Sequence, residues 1–182
     1  MKRVLPWVVT LLLLAAAWLV AFVTPADRST TEPFPITAAI GEEIVARDFA
    51  LTLRDVRAAG TISTSDGWSA EGTWLLVDLT AEATRVQDGT MLSGATLTIG
   101  DRTYRASERM TSMFGHPLVP GIPYQGTLAF ELPEGALRGT GVLHLSTRDD
   151  NRGDNVAELT LDLGALDILP AAPLEDTVWG KP

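Results

Sequence analysis

The stretch Leu118 to Pro133, LVPGIPYQGTLAFELP, decides the fold class of this chain. Pro120, Gly121 and Pro123 interrupt the backbone, a strand starts at Gln125, and Pro133 stops it. Thr127, Ala129 and Glu131 alternate with Leu128, Phe130 and Leu132. Successive side chains of a strand point to opposite faces, so this pattern predicts one buried side and one wet side.

Upstream, Trp74 to Ala83 (WLLVDLTAEA) reads as the longest strand. Leu75, Val77, Leu79 and Ala81 share one face, and Trp74, Leu76, Asp78 and Thr80 the other. Before it, Gly41 and Glu42-Glu43 lead into a short strand at Ile44 to Ala46. Phe49, Leu51, Leu53 and Val56 then nearly alternate with polar residues, and the slip predicts a bulge near Arg54-Asp55. Gly60 to Gly72, rich in Ser, Thr and Gly around Trp68, reads as a polar loop, as do Thr84 to Ser93 and Ser107 to Pro117. Ala95 to Ile99 and Arg102 to Ala106 flank Gly100-Asp101, a pair suited to a tight hairpin turn. Downstream, Gly141 to Ser146 and Val156 to Leu163 read as strands on either side of the DDNRGD hairpin loop, Asp149 to Asp154. No helix is expected after position 23. The pattern predicts an all-β fold, an antiparallel β-sandwich of seven to eight strands over 36–165.

The N-terminus differs in kind. Lys2 and Arg3 (cytoplasmic N-terminus, 1–3) precede an uncharged run from Val4 to Val23. Twenty residues at about 1.5 Å each match the roughly 30 Å hydrocarbon core of a bilayer, so 4–23 reads as a single transmembrane helix. The excess of basic residues before it places the N-terminus in the cytoplasm and the domain outside. Ala17 and Ala21 form a small-xxx-small pair of the kind that packs on another helix. The alternative is a signal peptide cut near Thr24-Pro25-Ala26, which yields a secreted domain. Thr24 to Pro35, with three prolines and no periodicity, is a linker.

Composition excludes several functions. A formal charge of −9 and only two lysines argue against nucleic acid as a partner. The absence of cysteine excludes disulfides, zinc-thiolate sites, thiol catalysis and a lipidated cysteine. The two histidines, His116 in a Gly-His-Pro turn and His144 in mid-strand, belong to no nucleophile, metalloprotease or phosphate-loop motif. The expectation is of a protein that is not an enzyme and has no cofactor. Asp149, Asp150, Asn151 and Asp154 make an oxygen-rich loop suited to a hard cation such as Ca²⁺. Gly153 and Thr160, however, stand where acidic ligands of a calcium loop are expected, and turn preference explains the same letters. Arg152-Gly153-Asp154 within it is an integrin-type tripeptide with no supporting context.

Candidate contacts to a partner are Trp68 and His116 in loops, and Leu174, Val178 and Trp179 in the tail 166–182. The tail's prolines predict no regular structure, while its apolar residues suit folding back on the sandwich or docking on a partner. Trp74 is expected to cap the sandwich core.

Four groups of residues resemble a family of bacterial extracytoplasmic domains with a telokin-like, immunoglobulin-like fold and no assigned function. They are Gly41-Glu42 with Asp48 to Leu53; the strand Trp74 to Ala83; Pro120-Gly121 followed by Gly126 to Pro133; and Leu161 to Gly164. The resemblance covers about 40–165 and implies an immunoglobulin-like sandwich presented behind a membrane span, with no catalytic residues to carry over. Together these readings predict a membrane-anchored binding or accessory module acting on another envelope protein or a cell-wall polymer. The alternative is a small-ligand or Ca²⁺ sensor using the Asp149–Asn155 loop.

Overall fold

A computed structural model of the chain describes residues 5–23, 34–85, 90–147 and 155–180. It forms two compact units, Met1–Glu32 and Pro33–Pro182.

The first unit contains α1, Leu5–Val23, a helix of 19 residues without a charged side chain. Pro6 sits in its first turn, where a missing N–H costs little, and its carbonyl accepts the Thr10 hydroxyl at 2.9 Å. Trp18 and Phe22, one turn apart, stack at 5.3 Å. Among the described residues no helix is long and apolar enough to cross a membrane.

The second unit is a β-sandwich. Its strands are β1 (Phe34–Thr37), β2 (Glu43–Val45), β3 (Phe49–Ser63), β4 (Ser69–Ala83), β5 (Gly94–Ile99), β6 (Arg102–Arg105), β7 (Tyr124–Leu132), β8 (Thr140–Ser146) and β9 (Asn155–Asp162). Three two-residue strands follow in the tail: β10 (Ile168–Leu169), β11 (Ala172–Pro173) and β12 (Val178–Trp179). One sheet has the order β1-β9-β8-β5-β6, and the other β10-β3-β4-β7-β12, with β2 and β11 also on β3. All eight expected strands are present, and the excess over seven to eight comes from β1 and the tail. The pairing is antiparallel except where β1 joins β9 and where β10 and β11 join β3.

The core lies between the sheets. Leu75, Val77, Leu79 and Ala81 of β4 and Leu128, Phe130 and Leu132 of β7 meet Leu97, Leu143, Leu145, Leu159 and Leu161 of the other sheet. The expected bulge appears as a register shift between Leu53 and Asp55. The β5–β6 turn uses Gly100 at φ +60°, a left-handed conformation that glycine takes without a side-chain clash.

Three expectations require correction. The predicted loop Gly60 to Gly72 is mostly strand, because β3 and β4 stay paired as far as Ser63 and Ser69 around a turn at Thr64–Trp68. The tail is not irregular, since its short strands take partners on β3 and β7. The second face of β7 is wet only at Glu131, because Thr127 and Ala129 are fully buried.

Candidate functional site

The outer face of the β3-β4-β7 sheet is where the candidate residues gather, and the tail explains their arrangement. After β9, Asp162 caps a short 3₁₀ turn by accepting the Gly164 N–H at 3.1 Å. The chain then runs parallel to β3, where Ile168 and Leu169 pair with Ala58 and Ala59, and Ala172 and Pro173 pair with Ile62 and Ser63. From there it crosses the sheet as a strap and ends antiparallel to the start of β7, Val178 opposite Gln125 and Trp179 opposite Tyr124.

Beneath the strap lies a second apolar cluster of Ala59, Ile62, Trp74, Leu76 and Ala129, closed by Ala172 and Leu174. Trp74 therefore does not cap the core between the sheets; it is buried on the opposite side. Leu174 is only 7 % exposed, which removes it from any partner surface and corrects its expected role. Of the two fates weighed for the tail, Leu174 takes the first.

A polar network pins the strap. Asp78, 2 % exposed, accepts Arg57 Nε at 2.8 Å and Arg57 Nη2 at 3.1 Å. It also accepts the Thr127 hydroxyl, whose oxygen in turn accepts the Glu175 N–H at 3.0 Å. Arg57 Nη1 reaches the Pro173 carbonyl at 3.3 Å. Glu175 pairs with Arg54, and Asp176 accepts the Ser65 hydroxyl. Buried polar groups need such partners, because an unsatisfied one loses its hydration without return.

The candidate residues separate into two places. At the start of β7, His116 lies against Tyr124 at 5.4 Å between ring centroids, and Tyr124 against Trp179 at 4.6 Å. Tyr124 is 4 % exposed, whereas Trp179 is 51 % and Val178 49 % exposed. The Gly180 N–H donates to the Pro123 carbonyl and holds the end of the strap in place. Trp68 is brought elsewhere, half-buried against the Trp74 cluster. The Arg109 guanidinium stands 5.8 Å from the Trp68 ring and 5.8 Å from the Trp74 ring, and pairs with Glu131 at 2.7 Å.

The segment 108–116 runs from Trp68 towards His116 and opens a surface cleft of about 370 Å³ lined by Glu108, Thr111, Ser112, Phe114 and His116. A smaller cleft of about 230 Å³ separates the Thr64–Asp66 turn from Glu175 to Thr177 of the strap. In that turn the Thr64 hydroxyl, and secondarily the Trp68 N–H, hold the Asp66 carboxyl below its ordinary pKa.

The expected cation ligands Asp149, Asp150, Asn151 and Asp154 lie outside the described residues. Among the described residues no group of three or more His, Asp or Glu is placed to hold a metal ion. His144 points outward from β8 and faces Glu158 of β9 at 3.1 Å. Sequence reasoning missed the Arg57–Asp78–Thr127 network, the Arg109 contact and the pivotal place of Tyr124. Only Asp78, a carboxylate inside an apolar strand, carried a local signal.

No protein-family model matches the chain, and neither does any curated protein sequence. The fold is similar to the crystal structure of an uncharacterized beta-sandwich protein from Clostridium difficile 630, at a TM-score of 0.50 and 12 % identity. The match covers 74 % of this chain and 99 % of the other. At that identity the likeness concerns architecture alone, and the Pro33–Pro182 unit is a β-sandwich of the same kind.

Proposed function

We propose that the chain is a membrane-anchored accessory module, with an immunoglobulin-like sandwich displayed outside a cytoplasmic membrane. It acts on another envelope protein or a cell-wall polymer through the end that carries His116, Tyr124 and Trp179. The observation that carries this reading is the half-exposed Trp179, seated on a buried tyrosine and tied at both sides by backbone bonds. Aromatic side chains held rigid at a surface are common anchors of recognition, because little conformational entropy remains to be lost on binding.

The immunoglobulin-like type is supported by strand order. β3-β4-β7 facing β9-β8-β5-β6 corresponds to A-B-E facing G-F-C-C′, and β1 adds a parallel strand at the β9 edge. The anchor rests on the sequence: the run Val4 to Val23 carries no charge and follows Lys2 and Arg3, the pattern of a single N-in span.

The test is a crosslinking pull-down from intact membranes, comparing the full chain with Trp179→Ala. A partner recovered by the first and lost by the second is the expected result. Identical recovery from both would remove the Trp179 end from recognition.

A further inference from the structure

The proposed function leaves open what the Trp179 end and the neighbouring cleft recognise. The inference that follows rests on that reading and names the ligand class. We propose that they bind a neutral β-1,4-linked glycan, the backbone chemistry of a cell-wall polymer.

Two features of the surface must be met by one ligand. The first is a flat apolar plate, Trp179, which is half-exposed and backed by Tyr124. The second is a cleft of mixed walls, polar at Glu108 and Thr111 and apolar at Met110 and Phe114, that His116 shares with this aromatic group, being both a cleft wall and a ring neighbour of Tyr124. A β-linked pyranose presents C–H faces that cover an aromatic plate and an equatorial rim of hydroxyls that need both donors and acceptors. The cleft offers both kinds. Glu108 supplies a carboxylate acceptor, His116 a ring nitrogen of either role, and Thr111 a hydroxyl of both roles. Behind the cleft, the buried Ser112 oxygen accepts the Phe114 N–H at 3.3 Å and holds the loop in shape.

Charge excludes the nearest competitors. No lysine or arginine lines the cleft, while Glu108 does, and the whole chain carries a formal charge of −9. Phosphate-rich or uronate polymers are repelled by such a surface, and a charge-neutral polyol is not. A purely apolar ligand would leave the carboxylate and hydroxyls desolvated without partners. The volume, about 370 Å³, falls at the lower end of the roughly 300–1,000 Å³ range of ligand sites. That size suits a short run of sugar units along an open surface.

The experiment is isothermal titration of the full chain in lipid nanodiscs, free of glycoside detergent, with chitotetraose as the probe. The expected result is saturable binding that falls about tenfold or more in Trp179→Ala, the scale of one aromatic anchor. Trp179→Phe should retain part of it, and His116→Ala should weaken it independently. Should Trp179→Ala fail to fold, as judged by its melting curve, His116→Ala and Trp179→Phe carry the comparison. Absence of binding to the wild type, or equal binding by wild type and both His116→Ala and Trp179→Phe, overturns the proposal. If the glycan does not bind while Trp179→Ala still loses a crosslinked envelope protein, the glycan inference fails and the module reading stands. If neither changes, both fail.

Discussion

Replacing Asp78 by Asn tests whether the buried network holds the strap to the sandwich. Asp78 is almost fully buried, and its two oxygens accept two nitrogens of Arg57 and the hydroxyl of Thr127. Asparagine keeps the shape and one acceptor but removes the charge and turns an N–H₂ towards an Arg57 donor. Breaking one partner of a buried pair costs about 3–5 kcal/mol, because the remaining charge has no counterpart. The Arg57 side chain keeps 22 % of its surface in water, which relieves part of that cost, so about 2–3 kcal/mol is expected. Urea unfolding of the full chain, followed by tryptophan fluorescence, measures it through the shift in midpoint at constant slope. Because Arg57 also holds the Pro173 carbonyl, Arg57→Met should be destabilising too. The double variant should cost less than the sum of the two. A loss below about 0.5 kcal/mol for Asp78→Asn, or strict additivity in the cycle, would refute the reasoning.

Leu174→Ala should cost about 2–3 kcal/mol, at the low end for a buried leucine because the strap can settle inward; an effect on partner recovery without any loss of stability would contradict its burial. Gly126→Ala places a methyl group 2.9 Å from Thr177 Cγ2, so it should displace the strap at a cost of about 1–2 kcal/mol and speed limited proteolysis after position 173 before the core is attacked. The depressed Asp66 pKa means that the stabilisation of the Thr64–Trp68 turn is present above the ordinary carboxylate pKa and is lost as pH falls through the lower folded value. Amide resonances of Gly67 and Trp68 should shift with that acid limb in the wild type, and the limb should move to higher pH in Thr64→Val, where the larger of the two causes is gone; an unmoved limb would contradict the assignment.

The histories of single residues show what could be read locally. Leu128, Phe130 and Leu132 announced their face because a strand between a core and anything else keeps a period of two. Arg54-Asp55 announced a bulge because the alternation slipped by one residue, and the register of β3 against β4 shifts there. Gly60 to Gly72 misled because Ser, Thr and Gly are turn residues by composition, yet Ala59, Ile62 and Trp74 are buried under a segment distant in sequence, Ala172 to Leu174. His116 and Trp179 were both singled out from the sequence, but only the fold joins them through Tyr124.

The sequence by itself determined the layers. Alternation, turn glycines and prolines are local, and they specified which face of each long strand meets the core and where each strand stops. Only the tertiary structure decided the course of residues 166–180. Strands of two residues have no period to read, and their prolines argue against them. They exist because β3 and β7 offer unpaired edges, and because Trp74, Leu76 and the Asp78 network need a cover. The same crossing buried Leu174, left Val178 and Trp179 half-exposed, and so divided one apolar tail into a part that holds the fold and a part that remains at the surface.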